Sequence, residues 1–267
     1  MQWKKHFMLL VTSILLVGIL AACGNSEKDE AQTGENEEKK VLKLGTSADY
    51  APFEFVDTAK SDEIIGLDID IVNAIADKLG YEIQAQDIDF NSLPTALENG
   101  TVDLVASAMN ATEERKKTLD FSDNYYSAAN MIVTTKDSTI KTVEDLKGKT
   151  VGVQLASVQE ELATKLNKDG ITMTIEKRNR VNEIVQELMV GRVDAAIIED
   201  EVAKGHLANN ETLVAHTIET DEEAEGYAIA FPKNSDLTEK FNAELKKMKE
   251  SGELDELIAK WMKSETK

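Results

Sequence analysis

Twice along this chain a helix-like segment runs into a glycine, a Val-Asp pair and then an apolar strand: "LENGTVDLVASA" at 97–108 and "LMVGRVDAAIIE" at 188–199. Gly100 and Gly191 suit helix C-caps, where left-handed backbone is common. The strands that follow are apolar runs of buried-strand length. The echo suggests two lobes of similar build. In open α/β sheets, ligands sit beyond the carboxyl ends of the strands. The echo therefore nominates Ser107 to Asn110 in one lobe, and Glu199 with Asp200 in the other.

The surrounding sequence supports α/β layering. "VLKLGTS" (41–47) reads as a strand, and "GLDIDIVNAIADKLG" (66–80) places Ile69, Val72, Ala76 and Leu79 along one helical face. "YEIQAQDI" reads as a strand and "SLPTALENG" as a short helix. From Met131 the pattern starts afresh. "MIVTTK" and "KTVGVQ" read as strands, "VQEELATKLN" as a helix and "ITMTIEK" as a strand. "VNEIVQELMVG" carries Val181, Ile184, Val185 and Leu188 on one face. "YAIAFPK" reads as a last strand. Two helices follow, "DLTEKFNAELKKMKES" and "ELDELIAKWMK", broken near Gly252. Such alternation points to α/β lobes with central, mainly parallel sheets.

The 267 residues allow two lobes of ordinary size, and a formal charge of −20 argues against nucleic acid. Acidic surface favours a soluble monomer. Lys4 and Lys5 precede the apolar run "FMLLVTSILLVGIL", a signal-peptide pattern. "LAAC" follows, ending at Cys23, the single cysteine of the chain. It resembles the lipobox of bacterial lipoproteins, in which the cysteine is acylated and becomes the new N-terminus. One cysteine leaves no disulfide. The stretch 24–40, "GNSEKDEAQTGENEEKK", lacks large apolar residues and reads as a flexible tether. The expectation is a signal peptide over 1–22, a tether over 23–40, and a soluble domain held by lipid at the extracellular face of the membrane.

In "ASAMNATEERKKTLDFS" (106–122), Thr112 suits the N-cap of a helix beginning "EERKK". The turn Ala108-Met109-Asn110 would present backbone N–H groups to an anion, with Arg115 about one turn in. A guanidinium fits a carboxylate with two parallel hydrogen bonds. The same arginine on an exposed face could instead pair with Glu113, Glu114 or Asp120. Glu199, at the opposite strand end, adds an anion, so the pair suits a zwitterion. "GTSADYAPFEF" (45–55) and "DFNSL" bring Tyr50 and Phe90 to two strand-to-helix junctions. Phe53 and Phe55 read as a core plug.

These motifs resemble family 3 of the extracellular solute-binding proteins, the amino-acid receptors of ABC importers. "GTSADYAPFEF", "IIGLDIDI", "SAMNATEERKKTLDFSDNYY", "LKGKTVGVQ" and "VDAAIIEDEVA" fall in family order. "VGVQLASVQEE", "KRNRVNEIVQE" and "AAIIEDEVAKG" look most like arginine-binding lipoproteins of Gram-positive bacteria. The resemblance implies a two-lobed, periplasmic-binding-protein-like (type II) α/β fold with two hinge crossings. Lobe 1 would comprise 41–129 and 226–267, and lobe 2 would comprise 130–225. It implies an aromatic sandwich of Tyr50 and Phe90. Arg115 would grip the ligand carboxylate, aided by backbone at Ala108 and Met109 and by the Asn110 side chain. Glu199 would hold the ammonium. Val158 would offer its N–H, with Gln154 and Gln159 nearby. Many relatives carry an acid where this chain has Ser47, so a cationic ligand would need Gln154, Asp49, Asp200 or ring faces instead.

The expected partners are a polar or basic L-amino acid (arginine first; lysine, histidine or glutamine otherwise), the membrane permease with its ATPase, and the bilayer through Cys23. No cofactor or metal is expected. An amino-acid-processing enzyme of dehydratase type or a ligand sensor on the same fold are the rival readings. Against an enzyme, the mature domain has only His206 and His216 and no hydrolase, zincin or Walker motif. Glu199 and Asp200, as neighbours on a strand, would point to opposite faces. Against a sensor, no signalling module follows in the sequence.

Overall fold

The computed structural model describes residues 39–219 and 226–262. The expected signal peptide, Cys23 and nearly all of the tether lie outside these residues. The first lobe begins with β1 (Lys40–Thr46), the small strands β2 (Asp49–Tyr50), β3 (Glu54–Val56) and β4 (Ile64–Ile65), and helix α1 (Leu67–Lys78). It continues through β5 (Tyr81–Asp87), α2 (Leu93–Glu98), β6 (Leu104–Val105) and β7 (Leu119–Phe121). The second contains β8 (Asn130–Thr135), β9 (Thr150–Gln154), α3 (Val158–Lys168), β10 (Thr174–Arg178), α4 (Val181–Met189), β11 (Ala195–Glu199), α5 (Asp200–Asn209) and β12 (Leu213–Thr217). The chain then returns to the first sheet with β13 (Ala230–Pro232), and ends with α6 (Asp236–Ser251) and α7 (Glu253–Trp261).

Two five-stranded sheets result, ordered β5-β1-β6-β13-β7 and β10-β9-β11-β8-β12, with a three-stranded sheet β2-β3-β4 beside them. In each five-stranded sheet the first three strands are parallel, and the fourth, which is the first strand after a crossing, runs antiparallel to both its neighbours. The chain passes between the sheets twice, after β7 and after β12. The two passages touch: Tyr125 N–H donates to Tyr227 O, and Tyr227 N–H donates to Tyr126 O, both at 2.8 Å.

The echo in the sequence is an echo in structure. Gly100 and Gly191 have φ of 73° and 74°. Asp103 accepts from Lys43 N–H at 2.8 Å, and Asp194 accepts from Thr150 N–H at 2.8 Å. Each aspartate thereby pins the neighbouring parallel strand, at the middle of β1 and at the first residue of β9. In β11 alternate residues serve opposite layers. Ala195 and Ile197 pack with α3 and Ala163, while Ala196 and Ile198 pack with Ile184 and Val185 of α4.

Sequence patterning anticipates most of these elements, with one correction. The helix expected at "EERKK" is a single 3-10 turn, Arg115–Lys117. Glu114, not Thr112, is its N-cap; Thr112 stands one turn earlier, its Oγ1 accepting from Arg115 N–H at 3.2 Å. A turn this short carries no appreciable macrodipole, so the cations Arg115, Lys116 and Lys117 meet no helix N-terminus there; Lys116 pairs with Glu113 and Lys117 with Glu114. Strands β7 and β12, the small sheet and helix α5 had no clear sequence signature.

Gly66 begins α1 with φ of 140°, and a Cβ there would lie 2.0 Å from the Phe53 carbonyl oxygen. Rigid backbone cannot yield to that contact. Gly66→Ala is expected to lower stability by at least about 2 kcal/mol. Urea denaturation of the purified domain measures this, and an unchanged midpoint refutes it.

Candidate functional site

A cavity opens where the strand ends of both sheets meet. Ser47, Tyr50, Glu54, Phe90, Ser107, Ala108 and Asn110 line it from the first lobe, Gln154, Ser157, Val158 and Gln159 from the second, and Tyr227 from the return crossing. Of the residues expected from sequence, Ser47, Tyr50, Phe90, Ala108, Asn110, Gln154, Val158 and Gln159 are therefore brought together. Met109 is fully buried with Phe90, Leu93 and Leu119, so it shapes the turn from below. Arg115 and Glu199 are not among the lining residues.

The turn after β6 is held by buried acid. Ala108 has φ of 44°, a left-handed conformation unusual for alanine. Its N–H donates to Asp68 Oδ2 at 2.7 Å, and the Tyr125 hydroxyl donates to the same oxygen at 2.6 Å. One residue earlier, Ser107 Oγ accepts from Ser47 N–H at 3.0 Å and donates to Glu54 Oε1 at 2.8 Å. The lobe-2 edge is built in the same way. Ala156 has φ of 63°, and its N–H donates to Glu160 Oε2 at 2.7 Å. Ser157 caps α3 by accepting from Glu160 N–H, and donates to Gln154 O at 2.7 Å. Val158 and Gln159 open that helix, where the first N–H groups have no intrahelical acceptor. Two left-handed alanines, one per lobe, thus flank the cavity.

Arg115 reaches both lobes. Its Nη1 donates to Asn110 O at 2.9 Å and its Nη2 to Ala156 O at 2.8 Å. The guanidinium carbon lies 5.3 Å from the centre of the Phe90 ring, close enough for cation–π attraction. Glu199 caps α5, its Oε2 accepting from Val202 N–H at 3.0 Å. Asp200 is the first residue of that helix, not a strand neighbour, so its carboxyl group meets that of Glu199. The expectation of opposite faces fails because the strand ends at Glu199. Burial, and then the Asp200 carboxylate, push Glu199 up to about 9. Burial pushes Asp68 up to about 7 and Glu54 well above the usual carboxylate range.

Sequence reasoning missed Glu54, Ser157 and Tyr227 in the lining. It also missed a bridge between lobes. Arg180, just before α4, places Nη1 2.7 Å from Asp87 Oδ1 and Nε 2.8 Å from Asp89 Oδ1. Asp49 lies 3.7 Å from the same guanidinium and accepts from Val181 N–H at 2.8 Å. Asp49 thus ties the first lobe to the start of α4, and also accepts from Ser47 Oγ at 3.2 Å. "DIDF" and "KRNR" are separated by about ninety residues, so no local pattern announces this contact.

Among the described residues no helix is long and apolar enough to cross a membrane. Residues 42–264 match the family described as bacterial extracellular solute-binding proteins, family 3. The chain is 49% identical over 262 residues to the arginine-binding extracellular protein ArtP of Bacillus subtilis (strain 168), across 98% of this chain and 99% of that protein. It is 35% identical over 263 residues to a probable histidine-binding protein of Campylobacter jejuni, across 97% and 98% respectively. A solved structure of an ancestral arginine-binding protein bound to arginine superposes with a TM-score of 0.77 at 41% identity, covering 83% of this chain and 97% of that one.

The buried acids give a pH prediction. A carboxyl group whose folded pKa is raised holds its proton in the folded state at pH values where the unfolded chain has released it, so stability falls as pH rises across that interval. For Asp68 the interval runs from the ordinary carboxylate range to about 7, and for Glu199 to about 9. The ligand-free domain should show a higher urea midpoint at pH 5 than at pH 8, and Asp68→Asn should narrow the gap. A midpoint at pH 5 equal to or below that at pH 8 contradicts the assignment.

Proposed function

The chain belongs to the bacterial extracellular solute-binding proteins, family 3, and on that premise we propose that it is the receptor of an ABC importer for a polar or basic L-amino acid, arginine first. The observation that carries the reading is the cavity itself, lined from both lobes at the carboxyl ends of their strands. The names of the relatives, arginine-binding and probable histidine-binding, point to the same ligand class. Lysine, histidine and glutamine are the alternatives.

In this reading the site divides the zwitterion between the lobes. Arg115 takes the carboxylate, helped by the N–H groups near Ala108 and Val158 and by the Asn110 side chain. Glu199 takes the ammonium and ionises as it does so, because an adjacent cation favours the charged form. Tyr50 and Phe90 contact the aliphatic part, and Gln154 and Gln159 offer polar contacts. Charged hydrogen bonds contribute about 1.5–3 kcal/mol each, so Arg115 and Glu199 with ring contacts bring affinity into the micromolar range or below.

Lobe 1, with 41–129 and 226–267, and lobe 2, with 130–225, would rotate about the paired crossings as ligand bridges them. A ligand that contacts both lobes favours the closed arrangement by its differential affinity. The bridge from Arg180 to Asp87 and Asp89 also joins the two lobes, and would form and break with that motion. The closed receptor would then deliver its guest to the permease. Lipid attachment at Cys23 would keep it, as a monomer, at the membrane face.

Arg115→Ala is expected to weaken L-arginine binding by at least about 100-fold, from the loss of two charged hydrogen bonds. Titration calorimetry measures it, with circular dichroism confirming the fold; unchanged affinity refutes the role. Cys23→Ala should move the protein from the membrane fraction to the medium, and retention at the membrane would place the anchor elsewhere.

A further inference from the structure

Helix α4 has no side chain of its own to accept from its first turn. Arg180 stands at its N-cap position, and a guanidinium carries donors only. Glu183 Oε2 accepts from Arg180 N–H at 3.3 Å, but that bond serves Arg180 and not the turn that follows. The α3 and α5 helices of the same lobe cap themselves, Ser157 accepting from Glu160 N–H and Glu199 from Val202 N–H. The first N–H groups of a helix have no intrahelical acceptor. For α4 the acceptor comes from the first lobe. Asp49 Oδ2 accepts from Val181 N–H at 2.8 Å and from Asn182 N–H at 3.4 Å. The Asp49 side chain is 9% exposed, and its other oxygen faces the Ser47 hydroxyl at 3.2 Å and Arg180 Nη1 at 3.7 Å.

The surroundings reinforce that contact. Asp87 and Asp89 take the Arg180 guanidinium, and Asp89 Oδ2 also accepts from Asn179 Nδ2 at 2.9 Å. Three carboxylates of one lobe therefore meet the start of a helix of the other, where the helix end and the arginine are both positive. The contact adjoins the cavity on both sides. Asp49 lies in sequence between the lining residues Ser47 and Tyr50. Gln154, which lines the cavity from the second lobe, donates from Nε2 to Asn179 O at 3.1 Å.

We propose that Asp49 caps α4 in trans when the lobes close, and so sets ligand affinity through closure rather than by touching the guest. This rests on the amino-acid-receptor reading and deepens it. As the lobes part, the carboxylate is withdrawn and the first N–H groups of α4 return to water. A ligand that bridges the lobes gains the cap as part of its differential affinity for the closed arrangement, whatever its side chain. Asp49 is then a positioning residue that acts through the helix.

The test follows L-arginine binding by calorimetry and stopped flow. Asp49→Ala should weaken it about 3- to 30-fold, the range of a lost N-cap. The loss should fall on dissociation, with association within about twofold of the unaltered protein. Asp49→Asn keeps a capping oxygen and should bind within about threefold of the unaltered protein. If Asp49→Asn is as weak as Asp49→Ala, the charge and not the cap matters, and the inference is overturned. The urea midpoint of ligand-free Asp49→Ala should match that of the unaltered protein; a fall means a permanent cap and overturns the link to closure. Amide exchange at Val181 and Asn182, read by NMR, should slow at least about 10-fold when L-arginine saturates the unaltered protein, and unchanged rates overturn the inference. Should Asp49→Ala not fold, those exchange rates decide the matter. If the unaltered protein binds none of the common amino acids, the receptor reading itself fails. If it binds L-arginine and Asp49→Ala binds it equally well, the inference falls while the receptor reading stands.

Discussion

Asp68 anchors the cavity wall that the rest of the site depends on. Its carboxyl group, wholly buried at the start of α1, accepts from both the Ala108 N–H and the Tyr125 hydroxyl. It ties the first helix to the ligand-facing turn and to the first crossing between lobes. The left-handed backbone at Ala108 costs about 1–3 kcal/mol, and the short bond to Asp68 helps hold it there. Burying an acid for this purpose is itself unfavourable, and its raised pKa records that cost. The site is therefore pre-organised by strain and desolvation rather than by its most stable local conformations.

Each lobe is assembled on one plan. An aspartate after a helix and a glycine pins the adjacent parallel strand, as Asp103 does for Lys43 and Asp194 for Thr150. What differs is the chemistry at the strand ends. β6 leads into Ser107, Ala108 and Asn110, which offer hydroxyl, amide and backbone groups beside Arg115. β11 leads into Glu199, a carboxyl group half committed to capping α5. On the function proposed for the site, opposite polarities on a common frame would suit a guest with two charged ends. The bridge from Arg180 to the β5 end ties these frames together at the cavity margin.

Much of this was legible in the chain. Period-two and period-3.6 patterns carry the burial of each lobe, and they read correctly for α1, α4, α6, β5 and β11. The motifs that carry the family resemblance place Tyr50, Phe90, Asn110, Gln154 and Val158 in one region, and all five line the cavity. Local chemistry misled at "EERKK", where a cap residue and helix-forming side chains yield a single turn. It misled again at Asp200, because Glu199 ends the strand and caps α5, so that Asp200 opens the helix.

The sequence by itself determined the layers, the repeat and the identity of the charged groups, because these follow from side-chain periodicity and from chemistry carried by each residue. Only the tertiary structure decided which of those groups would lose water. Glu54 reads in the chain as one acid among fifty. Folding encloses it beneath Ser107, leaves one oxygen unpaired and brings Tyr227 beside it from the far end of the chain. Burial and long-range partnership depend on how distant segments pack, and no local window of sequence contains that information.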